Sequence, residues 1–281
     1  MIVVSDIESV LPSLREARSQ GLTIGLVPTM GALHPGHVSL MRASREETGF
    51  VVVSIFVNPT QFGPAEDFDC YPRPLNADIK TCEANGVDLV FHPDAKAMYP
   101  PGFQTFVEVK SLQDVLCGAS RPGHFRGVAT VVLKLFNIIQ PDVAYFGQKD
   151  AQQVRIIRRM VDDLNVPVRV RVCPTVREPD GLAISSRNQY LDEAQRTHAR
   201  ALFQGLEEVR ERVLKGERDA QALREVLASR IAATPGAQLD YAAVVDADTL
   251  KPVRKLKGEV LVALAVKFGT TRLIDNLSLT V

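Results

Sequence analysis

The chain has 281 residues, with 33 basic and 33 acidic side chains balancing to no net charge. That length suits one large or two ordinary domains, and the absence of a long-range field of either sign disfavours nucleic acid and membrane surfaces as partners, leaving small molecules handled locally. No run approaches the roughly 20 apolar residues of a bilayer span.

Asp6 is positioned to cap a first helix running to Gln20, with Gly21 as its stop. Thr23 to Val27 is an apolar strand. The turn Thr29-Met30-Gly31-Ala32-Leu33-His34-Pro35-Gly36-His37 follows, and Val38 to Glu47 has helical spacing. Phe50 to Val57 is almost unbroken apolar, as in a parallel strand covered on both faces. It ends in Asn58-Pro59-Thr60-Gln61-Phe62, where open α/β sheets place ligands. Gly63 to Pro74, with three prolines and three acidic residues, reads as a loop too polar to pack, of the length used for lids or disordered connections. A helix from Leu75 to Asn85, a strand from Asp88 to His92 and a short alternating strand from Thr105 to Val109 come next. Cys117 to Gly127 is a glycine-rich basic loop.

Val128, Val131, Val132, Leu135 and Ile139 then mark one helix face. Val143 to Phe146 is a strand. Gly147-Gln148-Lys149-Asp150 turns into a helix with Ile157, Met160, Val161 and Leu164 on one side, and Val166 to Val172 gives another strand. This alternation predicts an α/β fold: a Rossmann-like, mostly parallel sheet with helices on both faces. There is no G-x-G-x-x-G, which disfavours a standard dinucleotide site. After Val176 two helices precede three strands (Leu239 to Val245, Glu259 to Phe268, Arg272 to Leu279), predicting a smaller α+β C-terminal domain. The expected division is 1–176 and 177–281. The N-terminal residues lack the features of a signal peptide, and Cys70, Cys82, Cys117 and Cys173 form no C-x-x-C pair. Both features predict a cytoplasmic protein with reduced thiols.

The turn at 29–37 carries most of the chemistry. Gly31 and Gly36 have Walker-type spacing, but His37 and Val38 stand where Lys and Ser/Thr are required. As a metal site, His34 and His37 supply only two ligands. The third reading makes both imidazoles donors to phosphate oxygens at a helix N-terminus. An ordinary turn with incidental histidines is the plain alternative. Lys149 with Asp150, Ser185-Ser186-Arg187, and the amides of Asn58 and Gln61 are further groups suited to a nucleoside triphosphate. Each has a structural counterpart: Asp150 with Gln153 makes a helix capping box, Ser185-Ser186 begins an element, Arg187 pairs with a surface acid, and Asn58-Pro59 is a common turn.

Taken together, residues 28–37, 54–62, 123–127 (Gly-His-Phe-Arg-Gly), 145–150 (Tyr-Phe-Gly-Gln-Lys-Asp) and 180–188 resemble the pantoate–β-alanine ligase family, in its order and over essentially the whole chain. The family belongs to the nucleotidyltransferase group that includes class I aminoacyl-tRNA synthetases. By that resemblance His34-Pro35-Gly36-His37 corresponds to their HIGH signature. Ile184-Ser185-Ser186-Arg187 stands where their KMSKS loop stands, without its lysines, so phosphate charge falls more on Arg187 and Lys149.

The resemblance implies condensation of D-pantoate with β-alanine, using ATP and magnesium carried mainly on its phosphates, through a pantoyl-adenylate. It implies catalytic roles for His34, His37, Lys149, Ser185, Ser186 and Arg187. Further ATP contacts would be Met30, Gly31, Gly147, Asp150, Val176 and Ile184, with Gly147 and Asp150 on the ribose. Met30, Asn58, Gln61 and Gln153 would hold pantoate, and Arg121 and His124 are candidates for β-alanine. A homodimer is also implied, with closure over the adenylate by the 63–74 loop and the second domain. Two rivals are a cytidylyltransferase of the same superfamily, recognised by exchange with CTP and an alcohol phosphate, and a non-catalytic ATP sensor, recognised by binding without pyrophosphate release.

Overall fold

The computed structural model describes residues 1–64 and 66–281. In chain order the first elements are β1 (Ile2–Val4), α1 (Ile7–Ser19), β2 (Ile24–Thr29), α2 (Pro35–Glu47), β3 (Phe50–Ile55), α3 (Leu75–Ala84), β4 (Leu89–Phe91) and α4 (Ala95–Met98). They are followed by α5 (Cys117–Ser120), α6 (His124–Ile139), β5 (Val143–Gly147), α7 (Ala151–Asp163) and β6 (Arg169–Cys173). The last are α8 (Glu193–His198), α9 (Ala201–Leu214), α10 (Ala220–Ala232), β7 (Ala237–Asp246), β8 (Glu259–Phe268) and β9 (Thr271–Thr280).

The chain divides into two compact units. The first comprises Met1–Asp114, Arg121–Gly147 and Gln153–Pro174. The second comprises Val115–Ser120, Gln148–Gln152 and Thr175–Val281, so two short upstream segments belong to it.

The first unit holds a parallel sheet in the order β1-β4-β3-β2-β5-β6. The chain winds outward from β2 through β3 to β4, then returns to β5 on the other side of β2. The gap between β2 and β5 is therefore the topological switch point, the place where sheets of this kind take ligands at the strands' carboxyl ends. Val27, Val51, Val53, Ile55, Val90 and Tyr145 pack with Leu40 and Met41 of α2 and Cys82 of α3. The alternate residues Leu26, Val52 and Leu89 are buried on the opposite face, where α1 and α6 pack together over β2. The unbroken apolar strands follow from this double cover.

In the second unit β7, β8 and β9 form an antiparallel sheet. Leu202, Leu206 and Val209 of α9 and Leu223, Leu227 and Ile231 of α10 pack with Val262, Leu264 and Val266 of β8. This is the α+β pattern predicted for the C-terminal region.

Three local expectations need correction, and one short strand was not foreseen. Residues 105–109 are not a strand. Side chains satisfy their backbone instead: Val107 N–H donates to Thr130 Oγ1 (2.9 Å) and Val109 N–H to Gln113 Oε1 (3.1 Å), while the Arg126 guanidinium lies 3.9 Å from the Phe106 ring centroid. The 63–74 loop does pack. Tyr71 is only 4% exposed, and Phe62 meets both Phe68 and Tyr71 edge to face. Its polar residues outnumber these aromatics and hid them; Ala65 lies outside the described residues. Cys117 to Gly127 contains α5 and the start of α6, so His124 is helical. Three-residue β1 carried too short a pattern to be read.

Candidate active site

The turn after β2 combines the residues the sequence singled out with one buried acid, Asp78, that it did not. Thr29 Oγ1 donates to the Ser54 carbonyl (2.8 Å) and accepts from Gly31 N–H (3.1 Å). Gly31 has φ +81°, where a β-carbon would be strained and would meet Asp78 Oδ2 at 2.9 Å. Asp78 of α3, 2% exposed, accepts from Ala32 N–H (2.9 Å) and Leu33 N–H (2.8 Å). Burial pushes its carboxyl above the usual range, and those two donors only partly offset the effect. His34 caps α2, with Pro35 in the first turn, where its missing N–H costs nothing. His34 N–H donates to His37 Nδ1 (3.3 Å), and the two imidazoles stack with centroids 3.9 Å apart. Because Nδ1 accepts, a neutral His37 carries its proton on Nε2.

The N–H groups of residues 31–34 are all committed within the turn. Asp78→Asn would set an amide N–H against one of these backbone donors. We expect a loss of about 1–3 kcal/mol, seen as a lower melting temperature, together with slower turnover. Unchanged stability and turnover would remove Asp78 from this role.

At the carboxyl end of β3, Pro59–Gln61 forms a 3₁₀ turn. Asn58, 1% exposed, accepts at Oδ1 from Thr60 N–H (3.3 Å), Thr60 Oγ1 (2.9 Å) and Tyr99 Oη (2.8 Å). Its Nδ2 donates to Gln61 Oε1 (3.0 Å) and to the Gly127 carbonyl (3.2 Å). Gln61 Nε2 meets Met30 Sδ at 3.1 Å. Met30, Asn58 and Gln61, three of the residues expected to hold pantoate, therefore form one bonded group. Gly127 lets α6 approach: a β-carbon there would lie 2.5 Å from Thr60 C and 2.7 Å from Gln61 N.

Arg121, between α5 and α6, and His124, the first residue of α6, join this group. Arg121 grips Glu66 through Nε to Oε1 and Nη2 to Oε2, both 2.6 Å. Burial works to raise the Glu66 carboxyl, and Arg121 outweighs it, holding the group below its usual range. His124 Nδ1 lies 2.8 Å from the Gln61 carbonyl and so donates there, while Arg121 Nη1 meets His124 Nε2 at 3.0 Å.

In the second unit Gln148–Asp150 is a 3₁₀ turn, with Lys149 Nζ 3.9 Å from Asp150 Oδ1. Asn276 of β9 fastens the turn, its Nδ2 donating to the carbonyls of Gln148 (3.0 Å) and Lys149 (2.9 Å). The neighbouring Asp275, with 1% of its side chain exposed, is bound by both terminal nitrogens of Arg177, at 2.6 and 2.9 Å. Arg177 also donates to the Gly181 carbonyl (3.0 Å). Gly181, at φ +93°, has no space for a β-carbon beside Phe203. The hairpin is closed by the Arg177–Ala183 bridge and by Ile184 N–H donating to Val176 O (3.0 Å). It delivers Ser185, whose Oγ accepts from Arg187 N–H (3.3 Å) at the start of the 3₁₀ helix Ser186–Tyr190.

The structure thus gathers the expected residues into two sets. Met30, Gly31, His34, His37, Asn58, Gln61, Arg121, His124, Gly147 and Gln153 lie in the first unit. Lys149, Asp150, Val176, Ile184, Ser185, Ser186 and Arg187 lie in the second. The supports that sequence reasoning missed are Asp78, Tyr99, Gly127, Arg177, Asp275 and Asn276. Gly127 was read as the end of a loop, and only the structure places it inside α6.

The family model described as pantoate-beta-alanine ligase matches residues 2–278. The pantothenate synthetase of Acetivibrio thermocellus is 56% identical over 276 residues, covering 98% of each chain. That of Moorella thermoacetica is 55% identical, covering all of this chain and 99% of its own. Among solved structures, a pantothenate synthetase from Thermus thermophilus has a TM-score of 0.94 at 45% identity, covering 99% of both chains. A pantoate-beta-alanine ligase from Francisella tularensis, complexed with beta-gamma ATP and β-alanine, has a TM-score of 0.79 at 38% identity, covering 99% of this chain and 97% of its own. With a family-model match over residues 2–278 and relatives 55–56% identical over nearly the whole of both chains, the chain belongs to the pantoate–β-alanine ligase family.

Proposed function

We propose that the chain joins pantoate to β-alanine at the expense of ATP, giving pantothenate, AMP and pyrophosphate. The whole-length family match carries this reading, and the bonded group of Met30, Asn58 and Gln61 at the sheet's carboxyl edge supports it. In the first step a pantoate carboxylate oxygen attacks the α-phosphorus, the bond from that phosphorus to the bridging oxygen breaks, and pyrophosphate leaves. Carboxylates titrate near 4, so the nucleophile is ionised at neutral pH and no general base is required. The barrier lies in bringing an anion onto a polyanion and in stabilising the leaving pyrophosphate, so positioning and fixed positive donors supply the catalysis. In the second step the neutral amine of β-alanine attacks the acyl carbon, AMP leaves, and the amine loses a proton.

The donors for the phosphates are His34 and His37 in the first unit and Lys149, Ser185, Ser186 and Arg187 in the second. Gly147 and Asp150 take the ribose, and Gly31, Val176 and Ile184 contribute further nucleotide contacts. Met30, Asn58, Gln61 and Gln153 take pantoate. Arg121 and His124 are assigned to β-alanine; a substrate carboxylate there would take the place Glu66 now holds on Arg121. Magnesium enters with the triphosphate, whose hard oxygens it prefers. The described residues include no group of three or more His, Cys, Asp or Glu side chains able to hold a metal ion. No helix among them is long and apolar enough to cross a membrane. A cytoplasmic homodimer completes the proposal.

Pantoate-dependent exchange of labelled pyrophosphate into ATP tests the first step. We expect exchange with ATP and pantoate alone, and pantothenate once β-alanine is added. Exchange driven by CTP and an alcohol phosphate, or ATP binding without exchange, would overturn the assignment.

A further inference from the structure

The bonded group around Asn58 has a direction, and that direction reaches the substrate. Thr60 N–H can only donate and the Gly127 carbonyl can only accept. With both bonded to the Asn58 side chain, Oδ1 must face Thr60 and Nδ2 must face Gly127. Gln61 meets the Nδ2 side, so it presents Oε1 to Asn58. Its Nε2 is thereby turned to Met30 Sδ, a weak acceptor that a better one would displace. Gln61 is buried, 9% exposed, and its amide is fixed as a donor.

Tyr99 holds this arrangement from outside the motif residues. It follows α4 in the sequence, its hydroxyl donates to Asn58 Oδ1 at 2.8 Å, and its ring sits edge-on to Phe103 with centroids 5.0 Å apart. Burial raises the hydroxyl's pKa above its ordinary value, so it keeps the proton it donates.

We infer that Tyr99 is a positioning residue for the acid substrate: through Asn58 it locks the Gln61 amide with N–H outward, so this subsite takes a carboxylate or hydroxyl oxygen lone pair and rejects a donor. The inference rests on the proposed reaction, and one assay separates the two. Pyrophosphate exchange is measured against pantoate concentration at saturating ATP in wild type, Tyr99→Phe and Asn58→Asp.

Tyr99→Phe removes one of three donors to Asn58 and should raise the pantoate KM about 3–10-fold, the worth of one net hydrogen bond. Its ATP KM and its exchange rate at saturating pantoate should stay within about twofold of wild type, on the uniform-binding criterion. Asn58→Asp keeps the acceptor for Thr60 and Tyr99 but cannot donate, so Gln61 turns over and presents Oε1 outward. We expect the pantoate KM to rise at least ~100-fold, since an acceptor now opposes an acceptor and a polar group is left unpaired. The ATP KM, little changed, serves as the check on folding. A purely structural Tyr99 would alter both KM values together. Pantoate KM values within twofold of wild type in both variants would overturn the positioning role and leave the reaction standing. No exchange in wild type would remove both.

Discussion

Replacing His34 with alanine should slow adenylate formation by about 10²–10³-fold, the usual loss for one charge-stabilising donor. The imidazole takes part in the α2 capping box and stacks on His37, so the melting temperature, expected to fall by the loss of a cap worth about 0.5–2 kcal/mol, is read beside the rate. His34 N–H, which reaches His37 Nδ1, is a backbone group and survives the substitution, as do the bonds from Ala32 and Leu33 to Asp78. The loss should appear in single-turnover pyrophosphate release with ATP and pantoate saturating. Attack of β-alanine on preformed adenylate should be affected far less, since no pyrophosphate departs in that step. Lys149→Ala should give a loss of the same size by the same argument. Normal folding with near-normal pyrophosphate release in both variants would contradict the assigned roles.

Gly127→Ala should also be severe, for a different reason. In an ordinary helix interior alanine is more stable than glycine by up to about 1 kcal/mol, so a surface-like position would gain from the change. Here the added carbon would lie 2.5 Å from Thr60 C and 2.7 Å from Gln61 N. Both are backbone atoms, so the 3₁₀ turn or α6 must move. Overpacking of this kind costs about 1–3 kcal/mol. The same shift lengthens the bond from Asn58 to the Gly127 carbonyl and misplaces Gln61, and a displacement of about 1 Å at a substrate contact can cost ~10²-fold in rate. We therefore expect a lower melting temperature together with a ~10²-fold loss in pantoate-dependent exchange. A variant as stable and active as wild type would show that the close approach is dispensable.

The contrast between these two residues reflects what a sequence exposes. The turn that carries His34 was legible because its pattern is contiguous: an apolar strand, a turn with two glycines and a helix start follow one another directly, and the structure begins the helix at Pro35, slightly ahead of the apolar pattern. The parallel sheet was equally legible, since strands covered on both faces carry unbroken apolar runs such as Phe50 to Val57. Positions whose importance comes from what faces them were not. Asp78 is an unremarked acid in a helix until Ala32 and Leu33, more than forty residues earlier in the chain, are seen to donate to it. Tyr99 and Asn276 act in the same way, each fastening a turn on a distant segment. Thr105 to Val109 failed in the opposite sense: its alternation is real, but Thr130 and Gln113 supply the partners that a neighbouring strand would have given. Tyr71 was hidden because one buried ring in a polar loop leaves no period to detect.

Adenylate formation by an ionised acid displacing pyrophosphate directly is open to isotope transfer, without reference to any variant. With pantoate labelled with ¹⁸O in its carboxylate, turnover with ATP and β-alanine should deliver one labelled oxygen to the phosphate of AMP, while pyrophosphate carries none. Label found in pyrophosphate, or AMP free of label while pantothenate accumulates, would contradict attack at the α-phosphorus and with it the roles given to His34, Lys149 and Arg187.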